Sequence, residues 1–372
     1  MQAETIYLDY NATCPVHPAA ADAVADALIA GGNPSSIHAA GRHARRTVEQ
    51  ARAAVADLAG AASSSVIFTS GASEANVLAL RGLPLRRVLV SAIEHDSVLN
   101  AVPDAVALPV SDDGTLDLAA LSENLAEGDL LSVMAVNNET GVIQPLQDIA
   151  GRAAQAGARL HVDAVQAAGR IPLDFRGLGL AAMSLSAHKI GGPPGVGALV
   201  IDEGLTLTAQ TRGGGQERGR RGGTENTAGI AGFGAAARIA IDALNTEPAR
   251  QAALRDRLEA GIAAAVDGVR IIGCHGPRVA NTSCILLSGV AAEKQVMALD
   301  LDGFAVSAGS ACSSGKVKAS HVLTAMGLGD SDAGAAIRVS LGWKTTAAEV
   351  DAFIAAYGAM AGRLLKSARA AE

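Results

Sequence analysis

Aromatic residues are nearly absent. Of 372 residues, one is Trp, three are Tyr and five are Phe. Alanine and glycine take their place, a compositional bias that selects no function. Cysteine is also sparse, with Cys14, Cys274, Cys284 and Cys312 as the full set. None forms a Cys-x-x-Cys pair, which argues against a metal site or a disulfide framework and for a reduced, cytoplasmic setting. No long basic run occurs and the net charge is −7, so nucleic acid is not an expected partner. No apolar stretch reaches the length of a membrane span, so no membrane contact is expected. The N-terminus has neither the basic nor the apolar region of a secretion signal. What is plentiful is apolar side chain, 49% of the chain, ample for a sizeable core. The length exceeds that of a usual single domain, so two are expected.

Short apolar runs alternate with helical patterns. They include Val66–Ser70, Val88–Ala92, Leu130–Val136, the run ending at Asp163, Met183–Lys189 and Gly195–Ile201. Helices are expected over Ser73–Arg81 and about 144–157. This alternation predicts an α/β fold with a mostly parallel sheet covered on both faces. Ligands of such sheets bind beyond the carboxyl ends of the strands. Ser70, His95, Asn138, Asp163, Ser186 and Lys189 all fall at or just past a strand end, which points to one site. The pattern changes near Thr246-Glu-Pro248. A long helix over 248–266 leads to shorter strands at 269–274, 282–288, 304–307 and 336–341, with helices near 291–301 and 346–366. The expected division is a large domain over 15–247 and a smaller α+β domain from 1–14 and 248–372, with the Ile6–Asp9 strand free to pack near either.

Several residues have the chemistry of one kind of site. Lys189 ends Ser-Ala-His-Lys and is followed by the restricted turn Gly191-Gly-Pro-Pro-Gly195. A lysine amine can form a Schiff base with pyridoxal 5'-phosphate (PLP), and a carboxylate such as Asp163 can keep the pyridine nitrogen protonated. An isolated lysine is usually a surface residue, and an isolated Asp is as often a cap; together at strand ends they favour the cofactor. Gln166 offers an amide to the same flat ligand. His95, at another strand end, suits stacking on an aromatic ring and acid–base work. Ser70-Gly-Ala-Ser73 before a helix presents backbone N–H groups to an anion, with Ser186 and His188 as added donors. The segment 218–226 is a second Gly-rich basic stretch, either a solvated loop or a phosphate contact. Cys312 lies in Ser307-Ala-Gly-Ser-Ala-Cys-Ser-Ser-Gly315, small residues that suit a mobile loop carrying a reactive thiol, with His95 or Lys316 as groups that could favour the thiolate. Arg338 sits inside the apolar run Ile337–Leu341, where a guanidinium needs a partner; a substrate carboxylate is one.

Taken in order, the motifs resemble the cysteine desulfurases of the class V aminotransferase family. They are Tyr7-Leu-Asp-Tyr-Asn-Ala-Thr13, Gly32-Asn-Pro-Ser-Ser36, Ser70-Gly-Ala-Ser-Glu74, Val136-Asn-Asn-Glu-Thr-Gly141, His161-Val-Asp-Ala-Val-Gln166, Ser186-Ala-His-Lys189, Arg221-Gly-Gly-Thr-Glu-Asn226, the Cys312 run and Arg338-Val-Ser-Leu-Gly342. The resemblance covers nearly the whole chain. It implies the type I PLP fold, with a seven-stranded large domain and a smaller one carrying the cysteine. It also implies Lys189 as the Schiff-base residue, Asp163 as the ring-nitrogen partner, and Gln166 and Asn138 against the ring oxygen and the cofactor or substrate. Ala72, Ser73, Ser186 and His188 would hold the phosphate, with Thr224 reaching in from the other subunit of a homodimer. Arg338 would bind the carboxylate of L-cysteine, assisted by Asn33 or Asn138, and Cys312 would take the sulfur as a persulfide for an acceptor or iron–sulfur scaffold protein. No resident metal is implied; Cys312 would meet an iron–sulfur cluster only in passing. The chain departs from the family pattern at Cys14 and Ser73, where Thr is usual, and at Ala75, where Ser is usual. It also lacks a C-terminal extension used for scaffold docking, so the acceptor and pathway (nitrogenase maturation, general iron–sulfur assembly or thiolation) stay open. Selenocysteine lyase and cysteine sulfinate desulfinase remain the rival activities.

Overall fold

Runs such as Val88–Ser91, Leu130–Met134 and Gly197–Ile201 are nearly continuous in apolar residues, and such strands need cover on both faces, which a parallel sheet flanked by helices provides. The computed structural model describes residues 5–309 and 319–369. The chain opens with β1 (Ile6–Tyr7), α1 (Pro18–Ala30) and α2 (Ala39–Ala59). The central sheet is built from β2 (Val66–Thr69), β3 (Val88–Ser91), β4 (Val106–Leu108), β5 (Leu130–Met134), β6 (Arg159–Asp163), β7 (Ala182–Ser186) and β8 (Gly197–Ile201). Between these strands lie α3 (Ala72–Gly82), α4 (Asp96–Leu99), α5 (Leu118–Asn124) and α6 (Leu146–Gln155), and α7 (Thr227–Ala243) and α8 (Glu247–Ala265) follow. The seven strands lie in the order β2-β8-β7-β6-β5-β3-β4. β8 is antiparallel to both neighbours, and the other pairs are parallel. β5, β7 and β8 are buried at every position. The fold class is the expected one.

After α8 the chain builds β9 (Arg270–Ile272), β10 (Thr282–Leu286), β11 (Phe304–Ala305), β12 (Ser307–Ala308) and β13 (Ala336–Ser340), with α9 (Ala292–Leu301), α10 (His321–Ala325), α11 (Asp330–Ala333) and α12 (Ala347–Arg369). β12-β13-β10-β9 form an antiparallel sheet. The single strand expected over 304–307 is two: β11 pairs in parallel with β1, whereas β12 pairs with β13. The chain turns at Val306 because its two halves serve different partners. Through β1, Leu8 is buried in the same cluster as Leu258, Ile285 and Phe353, and Asp9 bridges to Ser340.

Helices α1, α2 and α7 and the three-residue edge strand β4 are not among the sequence expectations. α7 holds Gly229, Gly232 and Gly234, each unfavourable in a helix by about 1 kcal/mol relative to Ala. Packing explains two of them. A Cβ at Gly232 would fall 2.6 Å from Val24 Cγ2 on α1, and one at Gly234 would fall 2.6 Å from Ala51 Cα on α2. Both glycines let the three helices approach closely. At the sheet edge, the buried pair Arg52–Glu217 closes β2: Glu217 accepts from Arg52 at 2.7 Å and from the Phe68 N–H at 3.1 Å, and Arg52 donates to the Val66 carbonyl at 2.8 Å. No single helix among the described residues is long and apolar enough to cross a membrane.

Candidate active site

The carboxyl ends of β5, β6 and β7 open onto a cavity of about 580 Å³. Lys189 sits in the helical turn that follows β7. Its Nζ lies 2.7 Å from the Asn11 carbonyl oxygen and 2.8 Å from that of Ala12, so the N-terminal segment closes over the amine. Asp163 ends β6 and is almost buried. Its Oδ2 accepts from Asn76 Nδ2 at 2.8 Å and its Oδ1 from the Val165 N–H at 3.0 Å. One residue pair below, His161 is held between Ser132 Oγ at 2.8 Å and Ser184 Oγ at 2.9 Å. Burial pushes this imidazole down to about 4, so it stays neutral. Glu94 is fully buried with one oxygen on the Met134 N–H at 2.6 Å. Burial raises its carboxyl well above the usual range, and the Asp163 charge adds to this. Asp163 thus sits above a neutral imidazole and beside a carboxyl whose anionic form burial disfavours.

The anion cradle lies at the start of α3. Its N-cap, Gly71, offers no side-chain cap, so the first helical N–H groups are not taken up by one. A Cβ on Gly71 would meet nothing within 4 Å, whereas one on Gly197 would fall 2.7 Å from the Gly71 backbone; the turn rests on β8 and its other side is open. Ala72, Ser73, Ser186 and His188 line the same cavity. His188 Nδ1 is 3.2 Å from Thr13 Oγ1. Burial and then the neighbouring Lys189 charge push its imidazole down to about 4. A phosphate on the α3 turn, a ring nitrogen against Asp163 and an aldehyde carbon at Lys189 are met by donors and acceptors of the right kind, so the residues fit PLP.

His95 is the N-cap of α4, and its Nδ1 accepts from the Ser97 N–H at 3.1 Å. Gln166 lines the cavity, but its Nε2 donates to the Asn11 carbonyl at 3.0 Å and its Oε1 accepts from Arg170; one amide hydrogen is left for a ligand. Arg338, on β13, brings the second sheet to the site. Its Nη2 pairs with Asp9 Oδ1 at 2.7 Å and its Nη1 donates to the Asn138 carbonyl at 3.1 Å. Its buried Nε–H has no acceptor, and a ligand carboxylate would supply one. Asn138 also lines the cavity. Asn33 and Thr224 are exposed and are not among the lining residues; the Asn33 side chain accepts from the Ser35 N–H instead. Cys312 and Lys316 lie outside the described residues. Asn76, Glu139, Asp9 and His321 belong to the site or its support without having been singled out by sequence. Asn76 lies one helical turn beyond Ser73, on the face of α3 that meets Asp163, and that spacing is the one signal it leaves.

The family model described as aminotransferase class-V matches residues 6–353. A protein of Mycobacterium tuberculosis named IscS-like cysteine desulfurase is 41% identical, over 98% of each chain. A cysteine desulfurase of Cereibacter sphaeroides is 44% identical, over 94% of this chain and 93% of its own. The solved NifS-like protein of Rickettsia africae superposes with a TM-score of 0.90 at 34% identity, over 96% of this chain and 99% of that one. The chain belongs to the class V aminotransferase family and, within it, to the PLP-dependent cysteine desulfurases.

Proposed function

We propose that the enzyme moves the sulfur of L-cysteine onto the thiol of Cys312 and releases L-alanine. The observation that supports this most is the meeting of Lys189, Asp163, the α3 turn and Arg338 around one cavity. When bound, PLP supplies an electron sink that lets the C–S bond of the substrate weaken. Lys189 would hold the cofactor and then use its Nζ to take the α-proton. Asp163 would face the ring nitrogen, with Asn76 and the Val165 N–H fixing its two oxygens. The α3 turn, Ala72, Ser73, Ser186 and His188 would hold the phosphate. Gln166, with its one remaining amide hydrogen, and Asn138 would contact the ring oxygen and the substrate. Arg338 would receive the carboxylate of cysteine, already oriented by Asp9 and the Asn138 carbonyl, whereas Asn33 would assist only if its segment moved. Cysteine and the Cys312 thiol become alanine and a Cys312 persulfide, and the sulfur count balances.

Thr224 would act across a homodimer, reaching the partner's phosphate, and the persulfide would pass to a thiol on an acceptor or iron–sulfur scaffold protein. Such chemistry suits a reducing, cytoplasmic setting, because an exposed persulfide is readily oxidised. The division into a large unit over 15–247 and a smaller one over 1–14 and 248–372 is part of this reading. The test is alanine formation from L-cysteine by the holoenzyme and by Cys312→Ala. The variant is expected to keep its cofactor absorbance and lose at least roughly 100-fold in turnover, the scale of a lost nucleophile. Turnover at the wild-type rate would overturn the reading.

A further inference from the structure

A second, smaller cavity of about 90 Å³ lies behind Lys189, lined in part by Cys14, His17, Arg170, Glu247 and Trp343. Arg170 is its unusual member. Its Nη1 donates to the Gln166 backbone carbonyl at 2.8 Å and to Gln166 Oε1. Among the described residues no carboxylate pairs with it, and its Nε–H and Nη2 hydrogens have no acceptor. Nor are these nitrogens sealed inside the protein, so they open onto the cavity that Arg170 lines. Burial pushes the guanidinium down to about 10, still above neutral pH, so Arg170 carries its charge. An enclosed cation without a counter-ion is costly.

Two groups on the cavity wall could neutralise it, and neither does. Burial pushes the Cys14 thiol up to about 11, although the Arg170 charge works against that rise, so Cys14 stays a neutral thiol. Glu247 is already claimed: its Oε1 accepts from Arg250 Nε at 2.8 Å, and its Oε2 from Arg250 Nη2 at 2.7 Å and Gln251 Nε2 at 2.9 Å. The other neighbours add no negative charge. His17 stacks on Trp343 with ring centres 4.3 Å apart, and burial lowers its imidazole below the ordinary value. Lys344 Nζ lies 4.8 Å from the centre of the Trp343 ring and brings a second positive charge to the neighbourhood.

We propose that this second cavity binds a small planar oxyanion, of the size of formate or bicarbonate, on the uncommitted edge of Arg170. Nε–H and one Nη2 hydrogen of a guanidinium are parallel donors, and they match the two oxygens of such an anion. A spherical anion can meet that edge at one point only. The volume holds a handful of water-sized groups, which admits a small anion and excludes a nucleotide or a peptide. The anion supplies the counter-ion that Cys14 and Glu247 do not. It also stands at the end of an unbroken hydrogen-bond chain: Arg170 holds Gln166, Gln166 Nε2 donates to the Asn11 carbonyl at 3.0 Å, and that carbonyl accepts from Lys189 Nζ at 2.7 Å.

Trp343 is the one tryptophan of the chain and lines this cavity, so its fluorescence reports on the proposed site. Holoenzyme is titrated at fixed pH with formate, with bicarbonate and with chloride, the ionic strength being held by a bulky sulfonate salt. Formate and bicarbonate are expected to give a saturating change, the tighter of the two telling a carboxylate from a carbonate ligand, and chloride to bind more weakly than either. Arg170→Gln is expected to raise the dissociation constant roughly 10- to 100-fold, the scale of lost hydrogen bonds to a charged group. Arg170→Lys keeps the charge without the paired donors and should fall between, which preserves the test if Arg170→Gln does not fold. Arg338→Gln is expected to leave the midpoint unchanged. A response that never saturates, chloride bound as tightly as formate, or an unchanged midpoint in both Arg170 variants would overturn the proposal. So would a signal lost in Arg338→Gln but kept in Arg170→Gln, which would put the anion in the larger cavity.

Discussion

Which atom of a side chain is already committed decides what each residue of this site can do. Asp163 has one oxygen on Asn76 and the other on the Val165 N–H, so its carboxylate is oriented before any ligand arrives. A hydrogen bond to a charged group contributes about 1.5–3 kcal/mol. Asn76→Ala is therefore expected to weaken PLP binding by roughly 10- to 100-fold, measured by cofactor titration of the apoenzyme, with little change in the fold. Unchanged affinity would show that Asn76 does not orient Asp163. Lys189, Asp163 and His95, which line the cavity, were legible in the sequence because each stands at or just past the end of a buried strand. His321, Glu139 and Asp9 were not, because their meaning lies in contacts far apart in the chain. His321 meets Glu94 across 227 positions and Asp9 meets Arg338 across 329, and no local pattern encodes either. His95 was legible as a cavity residue, but the hydrogen bond its Nδ1 accepts from the Ser97 N–H is made only by the folded turn.

At the scale of elements, local preference and packing disagree most clearly in α7. Gly234→Ala should gain about 1 kcal/mol from helix propensity. The new Cβ would stand 2.6 Å from Ala51 Cα, backbone that cannot rotate away. Overpacking of this kind typically costs about 1–3 kcal/mol, so the packing effect wins and the variant is expected to be less stable in urea unfolding. A more stable variant would mean that α2 and α7 separate at little cost. The same conflict explains why α7 is hard to read in the sequence: its glycines look like loop residues until the neighbouring helices are in place. Strands of the central sheet such as β3, β5 and β8 are easier, since burial on both faces leaves a nearly continuous apolar run. β11 and β12 show the limit of that signal, because one apolar run serves two different pairings.

For the whole molecule, the important fact is that the cavity draws on both sheets. Asp163 comes from β6 and Lys189 from the turn after β7, whereas Arg338 comes from β13 and His321 from α10. The N-terminal segment joins the two sides of the cavity: Asn11 accepts from Lys189, and Asp9 pairs with Arg338. The order of motifs along the sequence announced this kind of site, but not the joining role of the N-terminal segment. The most direct test of the account is a single turnover of holoenzyme with L-cysteine, with alanine counted and the Cys312 peptide weighed. The account predicts one alanine released for each sulfur atom gained on Cys312. Alanine released in full with no sulfur on Cys312 would contradict it.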